Sequence, residues 1–365
     1  IIFLSKWFFK KPSKKKILIC DKVSIKFSEH LFQKNSYEIL DMRYESINIY
    51  ILIITFLKSG ITNFKDNYKK NFIECVSPKI VFTAIDNNPA FYNLKNICNK
   101  PIYICVQNGM RKSAFYKECK EYIKKNKKIL RADHIFLFGE NEKKRFSKII
   151  KGNIHCVGNL LNNYYAIKKK VVSKKIRSLM YISQYKKRIH NNTASLLNTF
   201  DEDKRIFNYL IKFCKKKNMK LTLCSNDLDT KNGTTLESYY RKNLIKGNWV
   251  YLPQISKMNT YTNLNKQQMV VFGYSTLGFE ALAKNLKCAV FYNHFPIIGS
   301  NVKYPKSGPF WTNEKSYEAL EKILNRVIAF SDKKWKRIAG KYSQEILSYD
   351  PLNIKFKKIL KKMYK

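Results

Sequence analysis

The sequence contains no apolar run of the about 20 residues that a membrane-spanning helix needs. Its longest candidate, Ile47 to Leu57, is shorter and is broken by Asn48. Paired cysteines are missing as well. Nine cysteines are scattered without one C-x-x-C spacing, and several sit in apolar runs, among them Cys20, Cys105, Cys224 and Cys288. An odd, unpatterned set reads as reduced, buried thiols in a cytosolic protein. The five histidines (30, 134, 155, 190 and 294) are equally dispersed, so no metal site is expected. Arginine is scarce: ten of the 71 basic residues, the rest being lysine. The net charge of +45 would suit nucleic acid, but arginine is the usual reader of base edges, and its shortage argues against nucleic acid as a partner. An anionic membrane surface needs only point charges and fits better.

What is present is a repeated alternation of short apolar strands and helical patterns. The first half predicts strands at Lys16–Cys20, Ile80–Ile85, Ile102–Gln107, Ile135–Phe138 and Ile154–Val157, with helices at Ser113–Lys125 and Glu140–Ile150. The second half predicts strands at Ser178–Ile182, Lys220–Cys224, Trp249–Leu252, Met269–Phe272 and Cys288–Tyr292. Helices are expected near Asp203–Lys217, Leu236–Leu244, Leu277–Asn285 and Ser316–Ala329. Apolar strands of this kind imply parallel sheets covered on both faces. The fold class expected is α/β: two Rossmann-like, doubly wound domains facing a cleft. The Lys-rich stretch Ala166–Lys175 reads as the linker between an N-terminal domain, 1–168, and a C-terminal domain, 176–350. A basic helix, 351–365, follows, with Phe356, Ile359, Leu360 and Met363 at helical spacing. It either packs on a domain or lies on a membrane.

In doubly wound sheets ligands bind beyond the carboxyl ends of strands. Polar clusters occur there. After Ile80–Ile85 come Asp86, Asn87, Asn88 and Pro89, where Asp86 is either a general base or part of a Pro-capped turn. After the next strand come Gln107, Asn108 and Arg111, suited to hydroxyl-rich or anionic ligands, or else an Asn-Gly turn. Ser183, Gln184 and Lys186 open the second domain and could meet a diphosphate, or form a solvated basic loop. The most informative stretch is GYSTLGFEALAKNLKCAVF, 273–291. Its strand ends in Gly273, then Ser275 and Thr276 lie at a helix N-terminus, where free N–H groups and the helix dipole favour phosphate. Glu280 lies one turn in, within reach of a ribose or sugar hydroxyl. The same residues also read as a helix cap and a surface Glu. Two D-x-D strings, Asp201–Asp203 and Asp227–Asp229, lack a clear ligand context, so the donor is expected to bind without metal.

Together these strings resemble GT-B-type glycosyltransferases, and more narrowly bacterial surface-carbohydrate and O-antigen biosynthesis proteins. The resemblance rests on IDNNPAFYNL (85–94), VQNGMR (106–111), IHCVGN (154–159), YISQ (181–184), GYSTLGFEAL (273–282) and GPFW (308–311), in that order. It implies a glycosyltransferase with the donor nucleotide on the second domain; the reading of the residues adds metal independence, no cofactor beyond the nucleotide-sugar substrate and, from a single base, inversion. The enzyme would pass the sugar to a lipid-linked or surface glycan at the inner face of the cytoplasmic membrane. By resemblance, Ser275, Thr276 and Glu280 bind the donor, with Ser183, Gln184 and Lys186 or Arg188 near its phosphates. Asp86 is the base, Asn87, Asn88, Gln107, Asn108 and Arg111 shape the acceptor side, and Phe310 and Trp311 line the cleft. Two other readings stay open: a nucleotide-sugar epimerase of the same fold, and a basic protein that binds RNA or a membrane surface without catalysis.

Overall fold

A parallel strand covered on both faces must be apolar throughout, and its polar groups are pushed to its ends. The computed structural model describes residues 5–111, 113–165, 175–183, 194–224, 237, 241–242, 247–253, 256–273, 275–291 and 304–364. These form two compact units, Ile1–Leu161 with Asn353–Lys365, and Asn162–Leu352.

Unit 1 carries β1 (Lys6–Phe8), β2 (Ile17–Cys20), β3 (Tyr37–Leu40), β4 (Ser46–Asn48), β5 (Ile80–Thr83), β6 (Ile102–Val106), β7 (Leu130–Leu137) and β8 (Ile150–Cys156). Between them lie α1 (Ile25–Ser28), α2 (Ile49–Ser59), α3 (Phe64–Val76), α4 (Pro89–Ile97), α5 (Ser113–Asn126) and α6 (Glu140–Phe146), and α7 (Leu160–Tyr164) follows. β1 and β4 pair as a separate ribbon; the main sheet runs β3-β2-β5-β6-β7-β8, all parallel. Every residue of β2 and β5 is buried. Cys20, Thr83 and Cys105 share one register level, so the loops after β2, β5 and β6 leave the sheet at the same edge. In chain order the strands follow the pattern 2-1-3-4-5-6, and the direction of winding reverses between β2 and β5.

Unit 2 carries β9 (Ser178–Ile182), β10 (Lys220–Cys224), β11 (Trp249–Leu252), β12 (Met269–Phe272), β13 (Lys287–Phe291) and β14 (Trp311–Thr312). Its helices are α8 (Ala194–Lys217), α9 (Lys257–Asn265), α10 (Thr276–Ala283), α11 (Tyr317–Ala329) and α12 (Asp332–Ile346). The order β11-β10-β9-β12-β13-β14 is parallel throughout and reads 3-2-1-4-5-6, the doubly wound dinucleotide-fold order. Here the reversal falls between β9 and β12, where Ile182 and Phe272 sit side by side.

The α/β, doubly wound expectation holds, and four of the five strands predicted in the second half match residue for residue. The sequence reading missed β1 and β4, which form a short separate ribbon, β3, a half-buried edge strand, and β14, only two residues long. It overran α6, because Ile150 is apolar for strand β8 and not for the helix. Most of the linker 166–175 and of the helix expected at 236–244 lies outside the described residues.

The last helix, α13 (Ile354–Tyr364), lies against unit 1. Phe356, Leu360 and Met363 join a buried cluster with Ile17, Ile19, Phe82, Ile104 and Phe136. The rings of Phe356 and Phe136 meet edge to face at 4.6 Å. That settles the two readings of the tail: its apolar stripe is core. Truncating a fully buried Phe costs about 3–5 kcal/mol. Phe356→Ala is therefore expected to lower the urea-unfolding free energy of unit 1 by that amount. A loss near zero would mean that α13 is not part of its core.

Candidate functional site

The carboxyl edge of the unit 1 sheet carries a network of buried charge. Asp86, three residues past β5, is fully buried. Its Oδ2 accepts from Arg111 Nε at 2.6 Å, while Oδ1 accepts from the Asn108 N–H at 3.1 Å and from Arg111 Nη2. Asn108 Oδ1 accepts from the same Nη2 at 2.6 Å. Burial opposes the charge on Arg111, but Asp86 more than offsets it and holds the guanidinium protonated. Gln107 Nε2 donates to the Gly109 carbonyl at 3.0 Å, and its Oε1 accepts from the Phe138 N–H at 2.8 Å. Both amide ends thus stitch the loop after β6 to the end of β7.

The network continues through α5 and α6. Tyr116 donates its hydroxyl to Glu142, and the Arg145 guanidinium lies 3.5 Å from the centre of the Tyr116 ring. Arg145 Nη1 also reaches the Arg111 carbonyl at 3.4 Å. Glu142 is only 2% exposed. Burial pushes its carboxyl up to about 7, against the pull of the Tyr116 hydrogen bond and of Arg145.

A second carboxylate ends β2, beside the reversal point. Asp21 has φ 63° and ψ 133°, a backbone conformation that side chains other than glycine's rarely adopt. Its Oδ1 accepts from the Met42 N–H at 2.8 Å, with Arg43 Nε 3.8 Å away. Its Oδ2 is buried and, among the described residues, has no hydrogen-bond partner. Burial pushes this carboxyl above its ordinary range, and Arg43 only partly compensates.

In unit 2 the segment after β12 turns at Gly273 into α10. Ser275 is the N-cap, its Oγ accepting from the Gly278 N–H at 3.4 Å, and Thr276 is half-buried in the first turn. Gly278 is required for close packing: a Cβ there would lie 2.3 Å from the Phe272 ring. Glu280 is buried. Its carboxylate accepts from the Tyr261 hydroxyl and lies near Lys284, whose ammonium donates to the Tyr165 carbonyl at 2.5 Å. Burial brings Lys284 down to about 8, with Glu280 opposing the shift.

Several expected site residues have structural work instead. Ser183 is fully buried and donates to Asp203 Oδ2 at 2.7 Å, while Tyr181 donates to the other oxygen at 2.7 Å. Its hydroxyl therefore fastens β9 to α8. Asp203, part of the first D-x-D string, is the acceptor of both bonds; Asp227–Asp229, Gln184, Lys186 and Arg188 lie outside the described residues. Asn88 caps α4, its Oδ1 accepting from the Ala90 N–H at 3.1 Å with Pro89 at the first helical position, and Asn87 is exposed. Phe310 and Trp311 line no surface. They are 0% and 1% exposed, packed against Trp335 and Tyr342, because β14 adds to the sheet edge under α12. Among the residues missed, Asp21 follows an apolar strand as Asp86 does and was open to the same reasoning. Glu142 and Arg145 have the spacing of a solvated helix pair, and nothing local marks them as buried.

The family model described as "putative O-antigen biosynthesis protein" matches residues 104–364. The chain belongs to this family. Among solved structures, it is similar to a UDP-GlcNAc 2-epimerase of Methanocaldococcus jannaschii, in complex with UDP-GlcNAc and UDP. The two are 12% identical over 96% of this chain and 99% of that one, with a TM-score of 0.52. The wall teichoic acid polymerase TagF is 11% identical over 96% and 89%, with a TM-score of 0.54. Sucrose-phosphate synthase of Thermosynechococcus elongatus is 10% identical over 96% and 99%, with a TM-score of 0.52. At such identities the likeness concerns the fold: the two Rossmann-type domains common to GT-B glycosyltransferases and 2-epimerases. No curated protein sequence matches the chain.

The Glu142 pair makes a pH prediction. Its folded pKa lies above the 4.5 of a free carboxyl, so the fold favours the protonated form. Its stabilising contribution is complete below pH 4.5 and is lost as pH rises through about 7. Glu142→Gln, which keeps an acceptor for Tyr116, is expected to flatten the fall in stability across that window. Urea midpoints measured through the same window check this; an unchanged slope would remove Glu142 as its source.

Proposed function

We propose that the chain is a glycosyltransferase of surface-glycan biosynthesis, transferring a sugar from a nucleotide-sugar donor to a glycan acceptor at the cytoplasmic face of the membrane. The observation that carries this reading is the place of the Gly273–Glu280 segment. It leaves the sheet of unit 2 at the reversal point between β9 and β12, where doubly wound folds bind nucleotides. The N–H groups opening α10 are then the donors for the leaving phosphate, with Thr276 beside them. Glu280, turned to Tyr261 and Lys284, orders the wall behind that site.

On the acceptor side the two strand-end carboxylates divide the work. Asp86 has both oxygens engaged and anchors Arg111, which presents a fixed positive charge. Asp21 keeps one oxygen unpartnered among the described residues, and its raised carboxyl suits a proton acceptor. We therefore assign the base to Asp21 in place of Asp86. The acceptor hydroxyl loses its proton to Asp21, its oxygen attacks the anomeric carbon, and the nucleotide phosphate leaves. A single base and no covalent intermediate give inversion. No metal is assigned a step.

Donor binding is tested by thermal unfolding with CMP, CDP, UDP, GDP and a short RNA. A nucleotide at 100 times its dissociation constant adds about 2.7 kcal/mol. One nucleotide should stabilise the wild type and lose much of that effect in Thr276→Val. A shift with RNA alone, abolished by salt, would overturn the reading. Incubation with the matching nucleotide sugar follows: release of an epimerised sugar without acceptor would assign the fold's other chemistry.

The two carboxylates are separated by a trade-off. Asp21→Asn removes a base worth about 10²–10⁴-fold in turnover, and it also relieves a buried charge. It should cut transfer by that factor while raising the melting temperature above pH 7. Asp86→Asn breaks a buried ion pair and should unfold earlier, by about 3–5 kcal/mol. Unchanged turnover in Asp21→Asn would return the base to Asp86.

A further inference from the structure

The corner of unit 1 built by β1 and α2 turns large apolar side chains into solvent. Of the fourteen large hydrophobic residues exposed among the described ones, seven lie here: Trp7, Phe8, Phe9, Ile53, Phe56, Leu57 and Ile61. The clustering is therefore local. Phe9 and Leu57 are each 76% exposed and Ile61 is 83% exposed. The strand and the helix form one piece. β1 pairs with β4, which ends at Asn48, the N-cap of α2. Asn48 Nδ2 donates to the Lys10 carbonyl at 2.9 Å, and Lys11 lies over the Tyr50 ring at 5.6 Å. α2 has two apolar faces: Ile51 and Thr55 are buried, whereas Ile53, Phe56 and Leu57, at i, i+3 and i+4, have no cover among the described residues.

Along the two segments that build this patch the charge has one sign, and Glu38, which reaches the first of them, is engaged by Ser13. No Asp or Glu occurs from Lys6 to Cys20 or from Ile49 to Lys65. Lys6, Lys10, Lys11, Lys14, Lys16 and Lys58 are all exposed there. Glu45, just outside, is paired with Arg43 at 3.1 Å. Apolar and aromatic side chains set among lysines are the composition of an interfacial anchor. We propose that this corner docks the protein on an anionic phospholipid surface, with Trp7, Phe9, Phe56 and Leu57 entering the headgroup boundary and the lysines meeting the lipid charge. Among the described residues no helix is long and apolar enough to cross a membrane, and the corner itself offers contact with one leaflet. A second copy of the chain is disfavoured as occupant by the self-repulsion of a +45 molecule, and RNA offers no partner for Ile53, Leu57 and Ile61. The proposal does not rest on the transferase reading, and its test needs no substrate.

Trp7 supplies the probe. It is 43% exposed, whereas Trp249, Trp311 and Trp335, the other three tryptophans, are buried. Purified full chain is sedimented with vesicles of phosphatidylcholine alone or mixed with phosphatidylglycerol, and Trp fluorescence is read with brominated lipid. The expected result is binding to the anionic vesicles, weakened by salt, with quenching that Trp7→Phe abolishes. Phe56→Ser with Leu57→Ser, both exposed positions, should lower the bound fraction at least about tenfold. Binding without Trp7 quenching would place the contact elsewhere and overturn the proposal. So would equal binding by the double variant, or absence of binding at low salt. Concentration-dependent dimers that the double variant dissolves would make a second copy the occupant and overturn it as well.

Discussion

The constraint on which the molecule depends is the two-sided burial of its parallel strands. β2, β5, β9 and β12 touch helices or loops on both faces, so none of them can carry an exposed polar group along its length. Polar chemistry is driven to the strand ends, and parallel pairing gathers those ends along one edge of each sheet. Register makes the gathering specific. Cys20, Thr83 and Cys105 are level in unit 1, and Ile182 and Phe272 are level in unit 2. The loops that matter begin from those levels.

At those ends, the structure separates groups that are spoken for from groups that are not. Ser183, Gln107 and Asn88 satisfy neighbouring backbone or a buried carboxylate: the first two hold one element to another, and Asn88 caps its own helix. Asp86 and Arg111 neutralise each other, and Tyr116, Glu142 and Arg145 extend the same network to α6. A buried charge without its partner is costly, which is why these groups occur as a connected set. Asp21 departs from that pattern: strained backbone, buried carboxyl, one oxygen unpartnered among the described residues. Strain and orphaned polarity of this sort persist only where surrounding packing over-determines them, which is the ground for the base proposed at Asp21.

Net charge works on a different scale. A charge of +45 spread over lysines does little for the fold, since exposed ion pairs contribute little. Its consequence is long-range: a field of this sign disfavours self-association and favours anionic partners. On the docking proposal, the apolar corner of β1 and α2 gives that attraction a place to end. The tail helix, as rich in lysine, does not, because its apolar stripe is already consumed in the unit 1 core.

The sequence by itself determined the α/β class, the strands β9 to β13 and the motif that opens α10, because short apolar runs and capping residues act over a few neighbours. It also located the strand-end clusters of Asp86 and Arg111. It left open what each polar side chain faces. Phe310 and Trp311 read as a cleft wall and are core; Asp86 read as a base or a turn residue and has both oxygens engaged by Arg111 and Asn108; nothing local marked Glu142 and Arg145, and they are buried. α13, adjacent in sequence to unit 2, packs on unit 1. Strand order, register and burial decide these matters. They arise from pairings between residues tens to hundreds of positions apart, and no local pattern encodes which distant surface a side chain will meet.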